Sequence, residues 1–521
     1  MTGPFLRVPP FPGSRPLPLS RSGNSTFDHE EVCAALVANQ VGGTFWARAV
    51  QLEPERDLVL VPEDAAQQEA MLAAASGATV LRGTFDPWSV ARQAREVWAA
   101  SNSELATVAA LLGKPVRLFD GTEPLARQPD LVAELMKSLS GQSFASPFGG
   151  QPWSVIRAVE QLGEWRRLIE SNRDFRAVYG IARWKRVTVD PLLWDGTGPV
   201  RHNREVAKDL EPRALVAAWK SRTPPALLAE LQSRRTKIAE IEDGMIRSVG
   251  LGANCVPPLS IIVDRAGIYF DPNQSSELEA LLEFGELPLN WVKRAALLRE
   301  RLVKAGISKY EQAEVTKPTH VSHKRRILVT GQVEDDRSVL SAGGNCTNLE
   351  LLARARRLEP DAWIIYKPHP DVEAGHRKGH VPDAEVLHHA NAIERKAPIA
   401  ALLDQVDAVH VITSLAGFEA LLRGKSVTTH GQPFYSGWGL TTDLVPANPR
   451  RTRKRSLDEL IAATLIGYPR YVDPVTRLPC PPEVLVRRIA MGQAKVTSGL
   501  ITLREWQGKL RLAWQRLRGA R

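Results

Sequence analysis

The chain has 521 residues, which is more than one hydrophobic core organises, so two to four domains are expected. Its 43% hydrophobic and 24% charged residues are typical of a folded globular protein, and no apolar run reaches the ~18 residues of a membrane span. The net charge is +10 without a known nucleic-acid-binding motif, and the four scattered cysteines exclude a disulfide framework and a zinc site. We therefore expect a protein of the reducing cytoplasm with no nucleic-acid partner.

The first 172 residues are predicted to contain two segments. Residues 1–26 are rich in Pro, Arg, Ser and Gly and lack the apolar core of a secretory signal, so a disordered lead is expected. Residues 27–172 are expected to form a degenerate α/β module. Within it, Ser103–Val116 aligns at a fixed offset with Ser414–Val427. This echo, a similarity between two segments of the same chain, has two explanations. It is either the remnant of a duplicated module or an independent recurrence of a helix followed by glycine and a strand.

Residues 173–318 are predicted to form the N-terminal half of the main α/β region. The short strand Lys237–Ile241 runs into the acidic turn Glu242–Gly244. Two further strands, joined by a glycine turn, are expected at Leu259–Asp264 and Gly267–Asp271.

The C-terminal half, residues 319–472, follows a polar stretch that is predicted to be a linker, Ile307–Lys324. Strands alternate with helices in this half, and the predicted strands are Arg326–Thr330, Asp361–Lys367, Ala408–Ile412 and Ser426–Thr429. Such alternation indicates a parallel sheet covered on both faces. Ligands bind beyond the carboxyl ends of the strands of such a sheet. His369, Ser414 and the pair Gly331–Gln332 each follow a strand end, so we expect them to line one crevice.

Two basic clusters lie near the C-terminus. One is the run Arg450–Arg455, and the other belongs to residues 473–521, which are predicted to be helical and to end in a basic amphipathic tail. In the tail, Trp506 and Trp514 recur with leucines at helical spacing. Such a helix suits the surface of an anionic membrane. The alternative is a terminal helix packed on the protein with a solvated basic face.

Three short motifs at predicted strand ends carry groups suited to sugar transfer. The carboxylates of Glu242 and Asp243 can act as general base or nucleophile, although Asp-Gly is also a common surface turn. His369, between two prolines, has little freedom and can hold a phosphate. Ser414 fits an N-cap, and a capped helix N-terminus also binds anions.

A second acidic group, Glu334–Asp336, follows the predicted strand Arg326–Thr330. Asp335 and Asp336 can form a charged helix start that the macrodipole favours. They can alternatively supply a nucleophile opposite the Asp243 loop. The residues leave open both this choice and the choice between a covalent intermediate and front-face attack.

Seven segments carry a resemblance to one known family: Ile241–Gly252, Val256–Ser260, Gly331–Asp336, Thr347–Leu352, Tyr366–Asp371, Thr413–Gly424 and Gly431–Gly439. On these segments the chain closely resembles the capsule polysaccharide Kdo transferases of the KpsC type. The resemblance implies an α/β fold of the glycosyltransferase B type, with two Rossmann-like domains facing a cleft and a partial α/β remnant module before them. The motifs also resemble those of bacterial sialyltransferases, which use a CMP-activated keto sugar. Larger family members carry two complete transferase modules, whereas this chain carries one motif set.

The resemblance implies a CMP-Kdo-dependent β-Kdo glycosyltransferase that builds the β-Kdo linker of a capsular polysaccharide by retaining transfer. It implies catalytic roles for Asp243 and Glu242, with Asp336 and Asp335 as further candidates. Donor contacts are implied for seven residues: His369, Lys367, Pro370, Ser414, Thr413, Gln332 and Gly331. Acceptor-side roles are implied for Arg247 and Glu419. No metal and no cofactor are expected, because CMP-Kdo carries one phosphate and no Asp-x-Asp motif with supporting context occurs.

The expected partners are CMP-Kdo, a Kdo-primed lysophosphatidylglycerol-type lipid acceptor, the inner membrane surface, and capsule assembly and export proteins. The expected location is peripheral, on the cytoplasmic face of the inner membrane. Two alternatives remain. One is a non-catalytic capsule assembly or export module that has kept the fold, and the other is the same chemistry with another CMP-linked keto sugar.

Overall fold

The structure is a computed structural model that describes residues 4–54, 57–75, 77–247, 256–307, 323–375 and 377–494. The chain divides into two compact units. The first comprises Met1–Arg176, Val189–Arg201 and Val475–Pro479, and the second comprises Ala177–Thr188, His202–Pro474 and Cys480–Arg521. Most of the predicted linker, residues 308–322, and the predicted amphipathic tail lie outside the described residues.

The first unit alternates short strands with helices. Its strands are β1 (Ser20–Ser22), β2 (Leu58–Val61), β3 (Thr79–Val80), β4 (Glu96–Ala100), β5 (Val116–Asp120), β6 (Glu123–Pro124), β7 (Gln142–Ala145) and β8 (Pro152–Trp153). Its helices are α1 (His29–Asn39), α2 (Ala65–Ala74), α3 (Pro87–Ala91), α4 (Glu104–Leu111), α5 (Leu131–Ser140) and α6 (Val155–Asn172). The strands form a five-stranded sheet of order β3-β2-β4-β5-β6 and a three-stranded sheet of order β1-β7-β8.

The lead that was expected to be disordered is an ordered part of the first unit. Phe5, Leu6, Phe11 and Leu19 are buried, and β1 pairs antiparallel with β7. The ring of Phe11 makes an edge-on contact with Trp165. The expectation was wrong because it followed the proline and polar content, whereas four spaced apolar side chains anchor the segment in the core.

The remaining elements lie mainly in the second unit. Their strands are β9 (Phe175–Tyr179), β10 (His202–Asn203), β11 (Leu215–Ala218), β12 (Lys237–Asp243), β13 (Ser260–Asp264), β14 (Arg326–Thr330), β15 (Trp363–Lys367), β16 (Ala392–Ile393), β17 (Ala408–Val411), β18 (Ser426–Thr429), β19 (Thr442–Asp443), β20 (Arg470–Val472) and β21 (Pro479–Cys480). The helices are α7 (Arg186–Leu193), α8 (Pro225–Ser233), α9 (Glu277–Glu283), α10 (Leu289–Lys304), α11 (Arg337–Ala342), α12 (Asn348–Leu358), α13 (Pro370–Glu373), α14 (Asp383–His389), α15 (Ile399–Gln405), α16 (Leu415–Leu422), α17 (Leu457–Ile461) and α18 (Pro482–Ala490).

These strands form two sheets. The first has seven strands in the order β10-β9-β11-β12-β13-β20-β21, and the second has six in the order β16-β15-β14-β17-β18-β19. Every neighbouring pair in the six-stranded sheet is parallel, which confirms the sequence prediction for this part of the chain. The carboxyl ends of its strands therefore lie along one edge, where ligands of open α/β sheets bind.

Two details of the seven-stranded sheet differ from the prediction. The strand expected to end at Ile241 continues through Asp243, because β13 pairs antiparallel with it over that length. The second strand expected at Gly267–Asp271 is a loop. The Asp264 carboxylate holds this loop by accepting the backbone N–H of Gly267 at 2.9 Å and that of Glu277, at the start of α9, at 3.0 Å.

The echo between the first unit and the six-stranded sheet is visible in the local structure. Ser103 and Ser414 are the N-caps of α4 and α16. Each helix is followed by a glycine with positive φ, Gly113 at 67° and Gly424 at 68°, and then by a strand of a parallel pair. A duplicated module and an independent recurrence of a helix, a glycine and a strand both give this geometry, so the remnant module stays a prediction.

The basic run Arg450–Arg455 is largely engaged inside the second unit. Arg450 and Arg451 contact the Glu279 carboxylate at 2.6 and 3.0 Å. Arg455 donates to two backbone carbonyl groups at the end of α9. Three of the five basic residues in the run therefore have partners within the unit. None of the helices in the described ranges is both long and apolar enough to cross a bilayer.

Candidate active site

Gln332 and Thr413 lie at the carboxyl ends of two paired strands, β14 and β17. Gln332 Nε2 donates to Thr413 Oγ1 at 3.0 Å, and the backbone N–H of Thr413 donates to Gln332 Oε1 at 2.8 Å. The Asn348 side chain accepts the Gln332 N–H at 2.9 Å and donates to the Gln332 carbonyl at 2.8 Å. Two hydrogen bonds therefore join the predicted donor residues Gln332 and Thr413 at one sheet edge, and two more fix the Gln332 backbone to Asn348.

His369 follows β15 and caps the short helix α13, in which Pro370 is the first residue. Its Nδ1 accepts the backbone N–H of Asp371 at 3.2 Å. The accepting nitrogen of a neutral imidazole carries no proton, so Nε2 carries it. A ring fixed in this tautomer can donate from Nε2 to a phosphate oxygen. Lys367 ends the strand, and its Nζ donates to the carbonyl of Arg395 at 3.4 Å.

Ser414 is the N-cap of α16, where its Oγ accepts the N–H of Ala416 at 3.2 Å. The helix has eight residues, and its N-terminus presents partial positive charge. A Cβ on Gly417 would lie 2.2 Å from the hydroxyl of Tyr435, which donates to the Ser414 carbonyl. Glycine is therefore needed for this approach. Glu419, predicted on the acceptor side, is buried on the same helix.

Gly331 lets the ends of β14 and β15 come close together. Its N–H donates to the Lys367 carbonyl at 2.9 Å, and a Cβ at this position would lie 2.4 Å from the hydroxyl oxygen of Tyr366. Burial raises the pKa of Tyr366, so the hydroxyl keeps its proton at neutral pH. The predicted role of Gly331 at the donor edge is compatible with this close approach.

Asp243 ends β12 in the seven-stranded sheet, and both of its carboxylate oxygens are in ion pairs. Lys185 Nζ lies 3.1 Å from Oδ1, and Arg247 Nε lies 2.7 Å from Oδ2. The Lys185 and Arg247 side chains are only 5% and 3% exposed, so water screens their charges weakly. Arg247, predicted on the acceptor side, thus has the Asp243 carboxylate as a partner. Two adjacent cations stabilise the ionised form of Asp243.

Glu242 and Asp243 point to opposite faces of the sheet, because successive side chains alternate along a strand. Glu242 shares its face with Glu240. The Arg337 guanidinium lies 2.7 Å from Glu240 Oε1 and 3.9 Å from Glu242 Oε2. Lys220 is a second cation on Glu240, at 2.8 Å. Arg337, the first residue of α11, thus joins the acidic end of β12 to the loop that follows β14.

The second acidic loop has structural functions in this arrangement. Asp336 is the N-cap of α11, where its Oδ1 accepts the N–H and the hydroxyl of Ser338 at 3.0 and 2.7 Å. Asp335 is exposed and pairs with Arg377 Nε at 3.1 Å. The loop does face the Asp243 strand, but it makes this contact through Arg337. A nucleophilic role for Asp335 or Asp336 stays a prediction.

Three residues around the carboxylates were absent from the sequence prediction: Lys185, Trp219 and Arg337. Lys185 follows β9 and Trp219 follows β11. In the sheet β11 lies between β9 and β12, yet Lys185 is 58 positions from Asp243 in the chain. A repeated Trp-Lys pair after each of the two strands, at Trp184 and Trp219, was the available clue.

Comparisons with known proteins identify the family of the chain. A family profile described as Capsule polysaccharide biosynthesis protein matches residues 215–297 and 287–471. The solved structure of Thermosulfurimonas dismutans KpsC, beta Kdo 2,4 transferase, is similar at 30% sequence identity and a TM-score of 0.51, over 60% of this chain and 98% of that chain. The chain belongs to the KpsC-like family of capsule polysaccharide biosynthesis proteins. The predicted family is confirmed.

Two curated relatives of the KpsC-like chain are longer proteins. It is 38% identical to the capsule polysaccharide modification protein LipA of Neisseria meningitidis serogroup B over 340 residues, covering 64% of this chain and 48% of LipA. It is 48% identical to the lipopolysaccharide-processing protein LpsZ of Rhizobium meliloti over 236 residues, covering 44% of this chain and 53% of LpsZ. The chain therefore spans about half the length of these relatives.

Proposed function

We propose that the chain is a glycosyltransferase that moves Kdo from CMP-Kdo to a lipid-linked acceptor and so builds the β-Kdo linker of a capsular polysaccharide. One observation carries the proposal. The chain is similar to a beta Kdo 2,4 transferase, and residues 215–471, which the family profile matches, contain an ion-paired carboxylate, Asp243, at one sheet edge and a phosphate-compatible set, His369 with the α16 N-terminus, at the edge of the other sheet.

The two carboxylates are proposed to have separate roles. Asp243 lies between two cations, which favour its ionised form and make it a weak base, so it is better suited to be the nucleophile. Its oxygen bonds to the anomeric carbon of Kdo while the bond from that carbon to the phosphate oxygen breaks, and the electron pair leaves with CMP. The acceptor hydroxyl then displaces Asp243 from the same carbon, and the electron pair returns to Asp243. The proton of the hydroxyl passes through water to Glu242, which points to the other face of the strand. Two displacements retain the configuration of the sugar.

CMP is proposed to bind at the carboxyl edge of the six-stranded sheet. His369 Nε2 and the α16 N-terminus at Ser414 hold the single phosphate. The other proposed contacts come from the same edge, namely Lys367, Pro370, Thr413, Gln332 and Gly331. One phosphate that is bound by an imidazole and a helix N-terminus requires neither a metal nor a cofactor.

The acceptor is proposed to be a Kdo-primed lipid of the lysophosphatidylglycerol type, presented at the cytoplasmic face of the inner membrane. Arg247 and Glu419 are the proposed acceptor-side residues, and Arg247 acts through its ion pair with Asp243. Attachment to the membrane through the tail after residue 494, and contact with capsule assembly and export proteins, complete the proposal.

The test is release of CMP by the purified full chain, with CMP-Kdo and with CMP-sialic acid, each with and without a Kdo-bearing acceptor. We expect acceptor-dependent release from CMP-Kdo alone. Release from the sialic acid donor alone would assign another keto sugar. No release from either donor, together with unchanged thermal stability in the presence of CMP, would indicate a non-catalytic module and refute the proposal.

A further inference from the structure

Lys185 is a buried ammonium group held between a carboxylate and an indole ring. Its Nζ lies 3.1 Å from Asp243 Oδ1 and 3.2 Å from the centroid of the Trp219 ring. A second indole, Trp184, lies at 5.3 Å. Burying an ammonium is costly unless it is paired and contacts a ring face. Lys185 meets both conditions, so the site is built to hold a buried positive charge beside Asp243.

Neighbouring strands bring the three groups together. Lys185 ends the 3-10 turn Arg183–Lys185 that follows β9, Trp219 directly follows β11, and Asp243 ends β12. The strands lie in the order β9-β11-β12, and the Trp219 N–H donates to the Tyr179 carbonyl at 3.1 Å, which ties the first two strand ends together. The arrangement is thus built at the sheet edge where ligands bind.

We propose that Lys185 is a positioning residue whose charge holds the Asp243 carboxylate in place for sugar transfer, so that loss of this charge in alkaline solution switches transfer off. The inference deepens the proposed function and rests on it. Lys185 acts through Asp243 and not on the sugar itself.

The groups facing Lys185 explain the pH at which the switch occurs. Burial lowers the pKa of Lys185 to about 8, and nearby Arg247 acts in the same direction, while Asp243 and Glu242 oppose them. Trp219 and Trp184 supply only ring faces. An ordinary lysine titrates near ~10.4 and arginine above ~12. Lys185 therefore loses its charge in mildly alkaline solution, and Asp243 then loses this ion-pair partner.

The chain offers a matched control in Lys220. It follows Trp219 as Lys185 follows Trp184, but it is half-buried and its Nζ lies 2.8 Å from Glu240. If removing any lysine from this sheet edge lowers activity, Lys185→Met and Lys220→Met will both lower it. An effect through Asp243 is expected of Lys185→Met alone.

The first test is the pH dependence of CMP release between pH 6 and 10. Wild type should lose activity above about pH 8. Lys185→Arg should be more active than Lys185→Met and should move the alkaline limb upward by at least about one pH unit, since arginine stays charged. Lys185→Met should lower kcat by about 10²-fold and abolish the limb, with CMP affinity unchanged. Lys220→Met should leave the limb in place. A Lys185→Met variant with the wild-type rate and the wild-type limb would overturn the inference.

The second test does not depend on turnover. The Lys185 side-chain resonance of the full chain, identified by its absence in Lys185→Arg, is titrated by NMR with ¹³C-labelled lysine. Its midpoint should lie near 8 and should fall in Asp243→Asn, which removes the favourable carboxylate. A midpoint at or above the ordinary lysine value would overturn the inference. If these midpoints hold while the wild type releases no CMP from CMP-Kdo, the ion pair stands and the proposed function fails.

Discussion

The buried pair His410 and His430 should make the six-stranded sheet sensitive to acid. His410 lies on β17 and His430 directly follows β18, with 3.1 Å between Nδ1 of the first and Nε2 of the second. Both residues are 1% exposed. Burial, helped by Arg325, lowers the pKa of His410 to about 4, although the Glu359 carboxylate at 4.0 Å opposes this. Burial, His410 and Arg354 lower the pKa of His430 to about 3.

The sign of the effect follows from proton binding. Both histidines titrate near ~6.5 in the unfolded chain, so between about pH 6.5 and 4 the unfolded state binds protons that the folded state does not. The free energy of unfolding therefore falls as the pH falls through this range, and the contribution is complete above about pH 6.5. At about 1.36 kcal/mol per pKa unit, each histidine removes about 2 kcal/mol at about pH 5, and the pair about 4 kcal/mol.

The assay is urea unfolding at pH 7.5 and pH 5.0, with the double variant His410→Gln/His430→Gln beside wild type. Glutamine can exchange a hydrogen bond with its neighbour but does not titrate. We expect the free energy of unfolding of wild type to fall by about 4 kcal/mol more than that of the variant between the two pH values. The control is His388→Gln/His389→Gln, a less buried pair on α14. Equal pH dependence in wild type and the buried-pair variant would refute the reasoning.

Three further changes have defined outcomes. His369→Ala should weaken CMP binding by about 1.5–3 kcal/mol, the value of a hydrogen bond to a charged group, and unchanged affinity in calorimetry would place the nucleotide elsewhere. Arg451→Met leaves part of the Glu279 charge buried without its partner and should cost about 3 kcal/mol in urea unfolding, whereas a neutral result would contradict the ion-pair reading. Gly331→Ala pushes a Cβ against the Tyr366 hydroxyl and should cost about 1–3 kcal/mol, and Tyr366→Phe in the same chain should restore part of it.

The sequence predicts the four inner strands of the six-stranded sheet, because most of them are short apolar runs ended by glycine, proline or a polar residue, whereas the two-residue edge strands β16 and β19 were not predicted. The strand Arg326–Thr330 has the predicted bounds, and Ser414 caps its helix as predicted. The lead and the loop Gly267–Asp271 failed for one reason. Local composition did not reveal that distant side chains bury Phe11 or that a single carboxylate, Asp264, shapes the loop.

Individual residues of the candidate site could be predicted from the sequence, but the contacts between them could not. The sequence indicates Asp243, but its partner Lys185 lies 58 positions away, and their contact depends on β9, β11 and β12 being neighbours in the sheet. Strand order is set by packing across the whole unit, and the hydrophobic periodicity of the sequence does not reveal it. The same holds for Arg337, which reaches Glu242 from the six-stranded half of the unit.

The central claim is that this chain transfers Kdo and that Asp243 carries the reaction. The most direct measurement is mass spectrometry of a Kdo-bearing acceptor after incubation with CMP-Kdo and either wild type or Asp243→Asn. Wild type should add the mass of one or more Kdo residues, and Asp243→Asn should do so at least ~10²-fold more slowly with its CMP affinity kept. An unchanged acceptor with active CMP-Kdo and folded wild-type protein, or full activity in Asp243→Asn, would contradict the account.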